Sequence, residues 1–329
     1  MTRPAPLLAI LLALSAALLL LGIAVGSTGF GWPGDEIGRQ IVWDIRLPRS
    51  LGAWAAGALL GLAGAIAQGL FRNPLADPYL LGGAAGAGLG VALSLTVFGS
   101  ATGGMGISIG MHKLGLSGAA FVGCLAGVLL TLMLARGAEH TLRLLLAGVV
   151  VGVVLTAGTN LLMLMKADIM REMQAFLLGS TGLLGWPGVT LMGAALVAGL
   201  AIAMAGSRAL DALTLGESTA QSLGVRLGLM RIVLIAAFAL ATGTAVAQAG
   251  MIAFVGLVAP HLVRNLCPTT HGRLLGLSAC TGGVLLLAAD ILARWLFAPQ
   301  ELPVGIVTSI VGGAYLLVLM NRRQRRTTA

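Results

Sequence analysis

Residues 232–267 read IVLIAAFALATGTAVAQAGMIAFVGLVAPHLVRNLC, and how this run divides decides the fold. As one helix at about 1.5 Å per residue it would be about 54 Å long, far more than a hydrocarbon core of about 30 Å. Two full spans need slightly more residues than it holds. Gly250 is the natural break, because glycine adopts the backbone conformations that end a helix. The run is therefore read as two spans, 232–249 and 251–267.

Working outward, the same composition recurs along the chain. Apolar residues make up 58% of it and charged residues only 9%. A water-soluble domain cannot bury that much apolar surface, whereas a bilayer can. With about 20 apolar residues needed per crossing, the chain holds roughly ten such stretches. They fall near 7–26, 51–71, 79–98, 114–135, 142–165, 188–206, 232–249, 251–267, 274–293 and 303–321. The first follows Arg3; it is long for a signal peptide and lacks a clean small-residue cleavage site, so it is kept as a span. The fold class expected is an all-α membrane protein, a single transmembrane domain over 1–329.

Charge fixes the parity. Lys and Arg collect on the cytoplasmic side, and the tail carries Arg322, Arg323, Arg325 and Arg326. With Arg3 also inside, the span count must be even, and ten fits. Thirteen basic and four acidic residues then lie inside, and seven of each sign outside, so the entire formal charge of +9 falls on one face. That explains the basic total without nucleic acid, for which no basic patch interleaved with aromatics is present.

Glycines supply packing signals. Gly82, Gly86 and Gly90 recur every fourth residue, and Gly57, Gly61 and Gly64 do likewise one span earlier, a pattern that lets membrane helices approach closely. Gly86-x-Gly88-x-Gly90 follows no strand, so it is no nucleotide loop. Ala65-Ile66-Ala67-Gln68 and Ala245-Val246-Ala247-Gln248 form a faint echo between spans of opposite direction. Cys124, Cys267 and Cys280 read as small apolar packing residues.

Missing chemistry narrows the function. The only lysines, Lys113 and Lys166, follow no glycine, which excludes a Gly-Lys-Ser/Thr phosphate loop. If ATP drives this chain, another subunit binds it. Ser117 and His140 belong to opposite ends of a span, too far apart for a nucleophile and its base. Few acids lie deep in a span, which disfavours a self-powered ion-coupled carrier; a secondary transporter or channel is the alternative. Asp290 and Arg294, four residues apart, share a helix face as an ion pair.

Several motifs carry a resemblance. Arg46-Leu47-Pro48-Arg49 precedes the second span and Asn73-Pro74-Leu75-Ala76-Asp77-Pro78 follows it. Leu215-Gly216-Glu217 opens an inner loop that continues through Ser222-Leu223-Gly224-Val225. Phe254-Val255-Gly256-Leu257-Val258-Ala259-Pro260-His261, Ala289-Asp290 with Ala293-Arg294, and Glu301-Leu302-Pro303-Val304-Gly305 come later. In this order they are similar, nearly end to end, to the FecCD family of binding-protein-dependent ABC permeases, which import ferric siderophores, haem or cobalamin.

The resemblance implies a ten-span type II importer permease in the bacterial inner membrane, non-catalytic and without a cofactor of its own. It implies a homodimer on two ATPase subunits, which bind ATP and Mg, with a periplasmic binding protein delivering cargo. It implies that Arg46, Arg49 and Arg294, at outer span ends, present exposed guanidinium groups to carboxylates of that binding protein. It implies a coupling helix around 215–225, with Leu215, Gly216 and Glu217 at its start, Ala220 and Leu223 as its apolar face, and Gly224 ending it. Span five lines the family's pathway, which suggests a lining by Met163, Met165, Met170 and Met173, with Ser180 near the outer mouth. Asn73, Pro74, Asp77 and Pro78 read as a rigid inner turn, and His261 and His271 as structural or gating residues rather than haem ligands.

Overall fold

The computed structural model of the protein describes residues 4–26, 29–30, 35–98, 109–137 and 141–327. Arg3 and His140 lie outside the described residues, as do the side chains of His112, Lys113 and the four tail arginines. The helices are α1 (Pro4–Ala24), α2 (Glu36–Ile41), α3 (Leu47–Leu70), α4 (Gly83–Phe98), α5 (Ile109–Leu134), α6 (Thr141–Met165) and α7 (Met170–Leu178). They continue as α8 (Trp186–Ala205), α9 (Ser207–Thr214), α10 (Glu217–Ser222), α11 (Leu227–Ala249), α12 (Val255–Leu266), α13 (His271–Trp295) and α14 (Val304–Thr327). A π-helical turn, Val42–Arg46, joins α2 to α3. Strand structure among the described residues is one two-residue pairing of Val25–Gly26 with Gly29–Phe30.

Seven helices among the described residues are long and apolar enough to cross a membrane, and Gly83–Phe98 and Val304–Leu319 are shorter apolar helices. The expected eighth span differs from its expectation. Its helix α12 has only 12 residues, about 18 Å of rise, because the chain stays unwound from Gly250 to Phe254. Gly250 ends α11 at φ +72° and Phe254 starts α12 at φ +68°. An unwound segment between apolar helices must find partners for its backbone. Here the Tyr79 hydroxyl donates to the Ile252 carbonyl (2.8 Å) and accepts from the Ile252 N–H (3.0 Å). Met251 N–H donates to the Phe176 carbonyl at the end of α7, 2.9 Å away.

α3 is the axis of the molecule, and nearly every residue from Pro48 to Leu70 is buried. Small residues cause this. A side chain added at Gly57 would put Cβ 2.3 Å from the Gly282 carbonyl oxygen, and at Gly61 2.2 Å from that of Ser278. At Gly64 it would lie 1.7 Å from the Gly256 oxygen. Backbones therefore touch, with α13 running antiparallel along α3 and α12 crossing its lower half. α4 and α5 repeat the device: Cβ at Gly86 would sit 2.2 Å from the Gly123 carbonyl and at Gly90 2.3 Å from that of Ala119. In a bilayer, where apolar area gives little drive between helices, such close packing is the main cohesive term. All three cysteines are free; Cys124 and Cys267 are buried and Cys280 half-buried.

Gly64→Val is expected to destabilise the fold by about 3 kcal/mol or more, the upper end for overpacking. Thermal unfolding in detergent measures it; a midpoint equal to that of the parent chain would mean α12 does not sit on α3 as described.

Candidate functional site

The register of α3 against α13 gathers the few charges at the two ends of the bundle. At one end four ionised side chains meet. Asp290 is wholly buried. Its Oδ1 accepts from Arg49 Nε (3.1 Å) and from the Thr181 hydroxyl (2.5 Å), and its Oδ2 accepts from Arg294 Nη2 (2.7 Å). Arg49 Nη1 reaches Glu301 Oε2 at 2.7 Å. Arg294 Nη1 also donates to the carbonyls of Gly22 (3.0 Å) and Val25 (3.2 Å). Two cations face two anions, so the cluster is neutral, and most of its hydrogen-bonding positions are filled. That combination lets ionised groups stay in a dry interior.

The expected exposed guanidinium groups are therefore not found at two of the three positions. The Arg49 side chain is only 9% exposed and that of Arg294 only 2%. The physical reason is that Asp290 and Glu301 supply carboxylates from within the chain, and the helix end of α1 supplies carbonyls. The Asp290–Arg294 pair was legible from its spacing; Arg49 and Glu301, which arrive from far along the sequence, were not. Arg46 is half-buried, its Nη1 donating to the Ile23 carbonyl at 3.0 Å.

At the opposite end the hub is Glu217. Its Oε1 accepts from Arg231 Nη2 (2.7 Å), from the Thr141 hydroxyl (3.2 Å) and, more weakly, from Arg72 Nη2 (3.4 Å). One carboxylate thus joins the start of α10, the start of α6, the first turns of α11 and the loop after α3. Gly216 at φ +107° and Gly224 at φ +82° bracket α10. The expected apolar face of this helix is divided. Ala220 is fully buried against the bundle, whereas Leu223 is 64% exposed, as is Leu215. Leu223 follows the last residue of α10 and Leu215 precedes its first turn, so the two leucines flank the helix on the open side while Ala220 anchors it. Glu217, the first residue of α10, turns to these three partners.

Nearby, Asp211 Oδ1 accepts from the His271 backbone N–H (2.9 Å) and contacts its ring Nδ1 (2.7 Å), closing the first turn of α13. His261 is buried, edge-on to Tyr315 with ring centroids 6.0 Å apart. Gln68 binds Arg264 and the Leu257 carbonyl, joining α3 to α12. In the turn after α3, Leu75 N–H donates to Asn73 Oδ1 (2.9 Å) and Tyr79 N–H to Asp77 Oδ1 (2.8 Å), so the side chains brace the turn as well as the prolines.

The methionines do not form one lining. Met173 is fully buried in a cluster with Cys124 and Val246, and Met163 packs against that cluster. Met165 is 71% exposed and Met170 is exposed as well. Ser180 is exposed and borders a cavity of about 160 Å3. Sequence reasoning missed a larger concavity of about 570 Å3, walled by Asp77, Tyr79 and one face of α6. That face carries Gly148, Gly152, Thr156 and Asn160, every fourth residue, and the last two are exposed. The spacing was the available signal.

Apolar helices long enough to span a bilayer, with ion-pair clusters at two ends and one open helix face, are the build of a membrane-embedded transport permease. The chain belongs to the FecCD transport family, whose model matches residues 5–322. It is similar to the vitamin B12 import system permease protein BtuC of Salmonella typhi, 38% identical over 96% of this chain and 95% of that one. An uncharacterized ABC transporter permease, YvrB of Bacillus subtilis (strain 168), is 38% identical over 88% of this chain and 81% of its own length. Among solved structures, one described provisionally as a metal-chelate type ABC transporter, in an inward-facing conformation, matches with a TM-score of 0.85. It is 27% identical and covers 97% of this chain and all of that one. PsaBC from Streptococcus pneumoniae matches over 81% of this chain and 89% of its own at a TM-score of 0.56 and 18% identity, which speaks to the fold alone.

Asp290→Asn removes half of the negative charge from the buried cluster and leaves two guanidinium groups facing an amide. A loss of about 3–5 kcal/mol is expected, read as a fall in thermal midpoint and in the amount of protein recovered from membranes. An unchanged midpoint would show that the cluster is hydrated rather than dry.

Proposed function

We propose that this chain is the permease subunit of a binding-protein-dependent ABC importer for a metal chelate, a class that includes ferric siderophores, haem and cobalamin. The carrying observation is α10, a short exposed helix pinned at its base by Glu217 and flanked by the exposed leucines Leu215 and Leu223. An exposed apolar pair on a braced helix suits docking into a groove of another protein, the ATPase that this chain needs if ATP drives it. The subunit works as a homodimer in the bacterial inner membrane, with two such ATPases below it, ten spans and both termini inside. The cofactor question belongs to the partners: ATP and Mg bind there and not here.

The α6 face from Gly148 to Asn160 lines the route, since Thr156 and Asn160 exposed on a spanning helix call for water or another protein surface rather than lipid. Asp77 and Tyr79 bound the same space. Cargo arrives at the Arg49 end from a periplasmic binding protein. Arg46, the half-buried arginine of the three, meets its carboxylates, while Arg49 and Arg294 act as positioning residues that hold α3, α13 and the end of α1 in one frame. ATP binding and hydrolysis on the partner subunits shift the dimer between outward-open and inward-open states through their different affinities for the loaded binding protein.

Reconstitution in proteoliposomes tests this. Uptake of the chelate is expected only with the partner ATPase, ATP and the loaded binding protein together. Leu223→Asp, at an exposed position that leaves the fold intact, is expected to reduce stimulated ATP hydrolysis at least tenfold, about 1.4 kcal/mol of interface. Uptake by the purified chain without ATP would replace this reading with a self-powered carrier.

A further inference from the structure

Between α1, α8 and α13 lies a groove of about 560 Å3 that the transport reading does not use. Its walls are the first turns of α1, with Pro4 and Leu8, and the last turns of α8, with Leu200 and Met204. Its floor is α13, and the floor is open because side chains are missing there. A Cβ added at Gly276 would meet nothing within 4 Å, and one added at Gly272 would meet only Ser207 and Met204, none nearer than 3.4 Å. The lining is apolar apart from Arg273 at the rim. Arg273 is exposed, and so is Arg208, which follows the Ser207 that flanks Gly272. Among the described residues neither arginine has a hydrogen-bond or ion-pair partner, in contrast to Arg49, Arg72, Arg231 and Arg294, which all have carboxylates.

We infer that this groove is a binding site for one anionic phospholipid, its acyl chain lying along α13 over Gly272 and Gly276 and its phosphate held by Arg273 and Arg208. The charge pattern selects this occupant. An apolar slot of this size accepts a hydrocarbon chain but leaves the two cations at its mouth without a counter-charge. A free phosphate would satisfy the cations and leave the slot empty. A lipid with a net negative head does both, and basic rims between spanning helices have the chemistry to hold one. The groove opens at the end of the bundle where Glu217 and Asp211 lie, which the proposed topology places in the cytoplasmic leaflet. Ser207 opens α9, and α9 leads directly into α10, so a lipid seated here touches the base of the segment proposed to meet the ATPase. The inference goes beyond the transport reading and needs only that the chain sits in a bilayer; it survives if the cargo or the energy source proves different.

The test is retention of lipid by the whole chain, purified from membranes containing phosphatidylglycerol and phosphatidylethanolamine, with bound lipid counted by native mass spectrometry. The parent chain is expected to retain phosphatidylglycerol in preference. Arg273→Ala should lower that retention about fivefold, and Arg208→Ala with Arg273→Ala about twenty-five-fold, at about 1 kcal/mol per cation. Phosphatidylethanolamine should be unaffected. Gly276→Leu places a Cβ where no protein atom lies within 4 Å and extends its branches into the slot, so it should fold normally and retain neither lipid; the arginine variants keep the question answerable if it does not fold. Equal retention of the two lipids by the parent chain would overturn the inference, as would phosphatidylglycerol retention unchanged in every variant. Protection of the groove by a second copy of the chain, seen as a dimer whose mass lacks lipid, would overturn it too.

Discussion

Backbone contact along α3 is the constraint on which the remaining structure depends. Gly57, Gly61 and Gly64 admit the carbonyls of Gly282, Ser278 and Gly256 to distances that no side chain would allow. Contact of this kind has a fixed register, since sliding by one residue would bring a Cβ onto an oxygen. Once α13 is locked antiparallel to α3, Arg49 must meet Asp290 at one end, and Gly69 must meet the ring of His271 at the other. The two polar ends are consequences of packing in the middle.

The fold was legible where composition alone decides it. Apolar runs separated by basic loops identify spanning helices, and Gly250 marks a real break because its φ of +72° is one that other residues resist. The shortness of α12 was not legible. Nothing local forbids Met251 to Phe254 from being helical; they are unwound because Tyr79 and the end of α7 accept and donate in place of helical neighbours. Tyr79 is 173 residues away in the chain, and a partner at that distance leaves no periodic trace. Phe254, held at φ +68°, is likewise a tertiary outcome, because its intrinsic preference is the opposite.

The sites divide along the same line. Asp290 with Arg294 could be read from helical spacing, and Gly224 as the end of α10 from glycine's tolerance of φ +82°. The burial of Arg49 could not, since an arginine at a span end normally reaches water by snorkelling. It stays inside because Asp290 and Glu301 neutralise it there, and Glu301 comes from a loop 252 residues later. The methionines form no single lining, because thioethers pack as readily as they line. Met173 has 0% exposure for that reason, whereas α6 borders open space at Gly152, where an added Cβ would meet nothing within 4 Å.

The two ends communicate only through what lies between them, and that material is uneven. α3 is about 36 Å of continuous helix, buried on all sides, and it transmits displacement as a rod rather than absorbing it. Beside it runs a softer series of polar contacts. Glu217 binds Arg72; the turn from Asn73 to Pro78 follows, braced by its own side chains; and Tyr79 then holds the unwound residues below Gly250. Two prolines deprive that turn of freedom to absorb a shift at Arg72. The Tyr79 hydroxyl, by contrast, holds Ile252 with two ordinary hydrogen bonds, each worth about 1 kcal/mol net, against the steric lock of glycine on carbonyl along α3. The unwound segment is nonetheless held sterically as well, since a Cβ at Gly179 would lie 2.5 Å from the Met251 carbonyl oxygen and one at Gly312 2.3 Å from Phe254 Cβ, which clamps it between the end of α7 and α14.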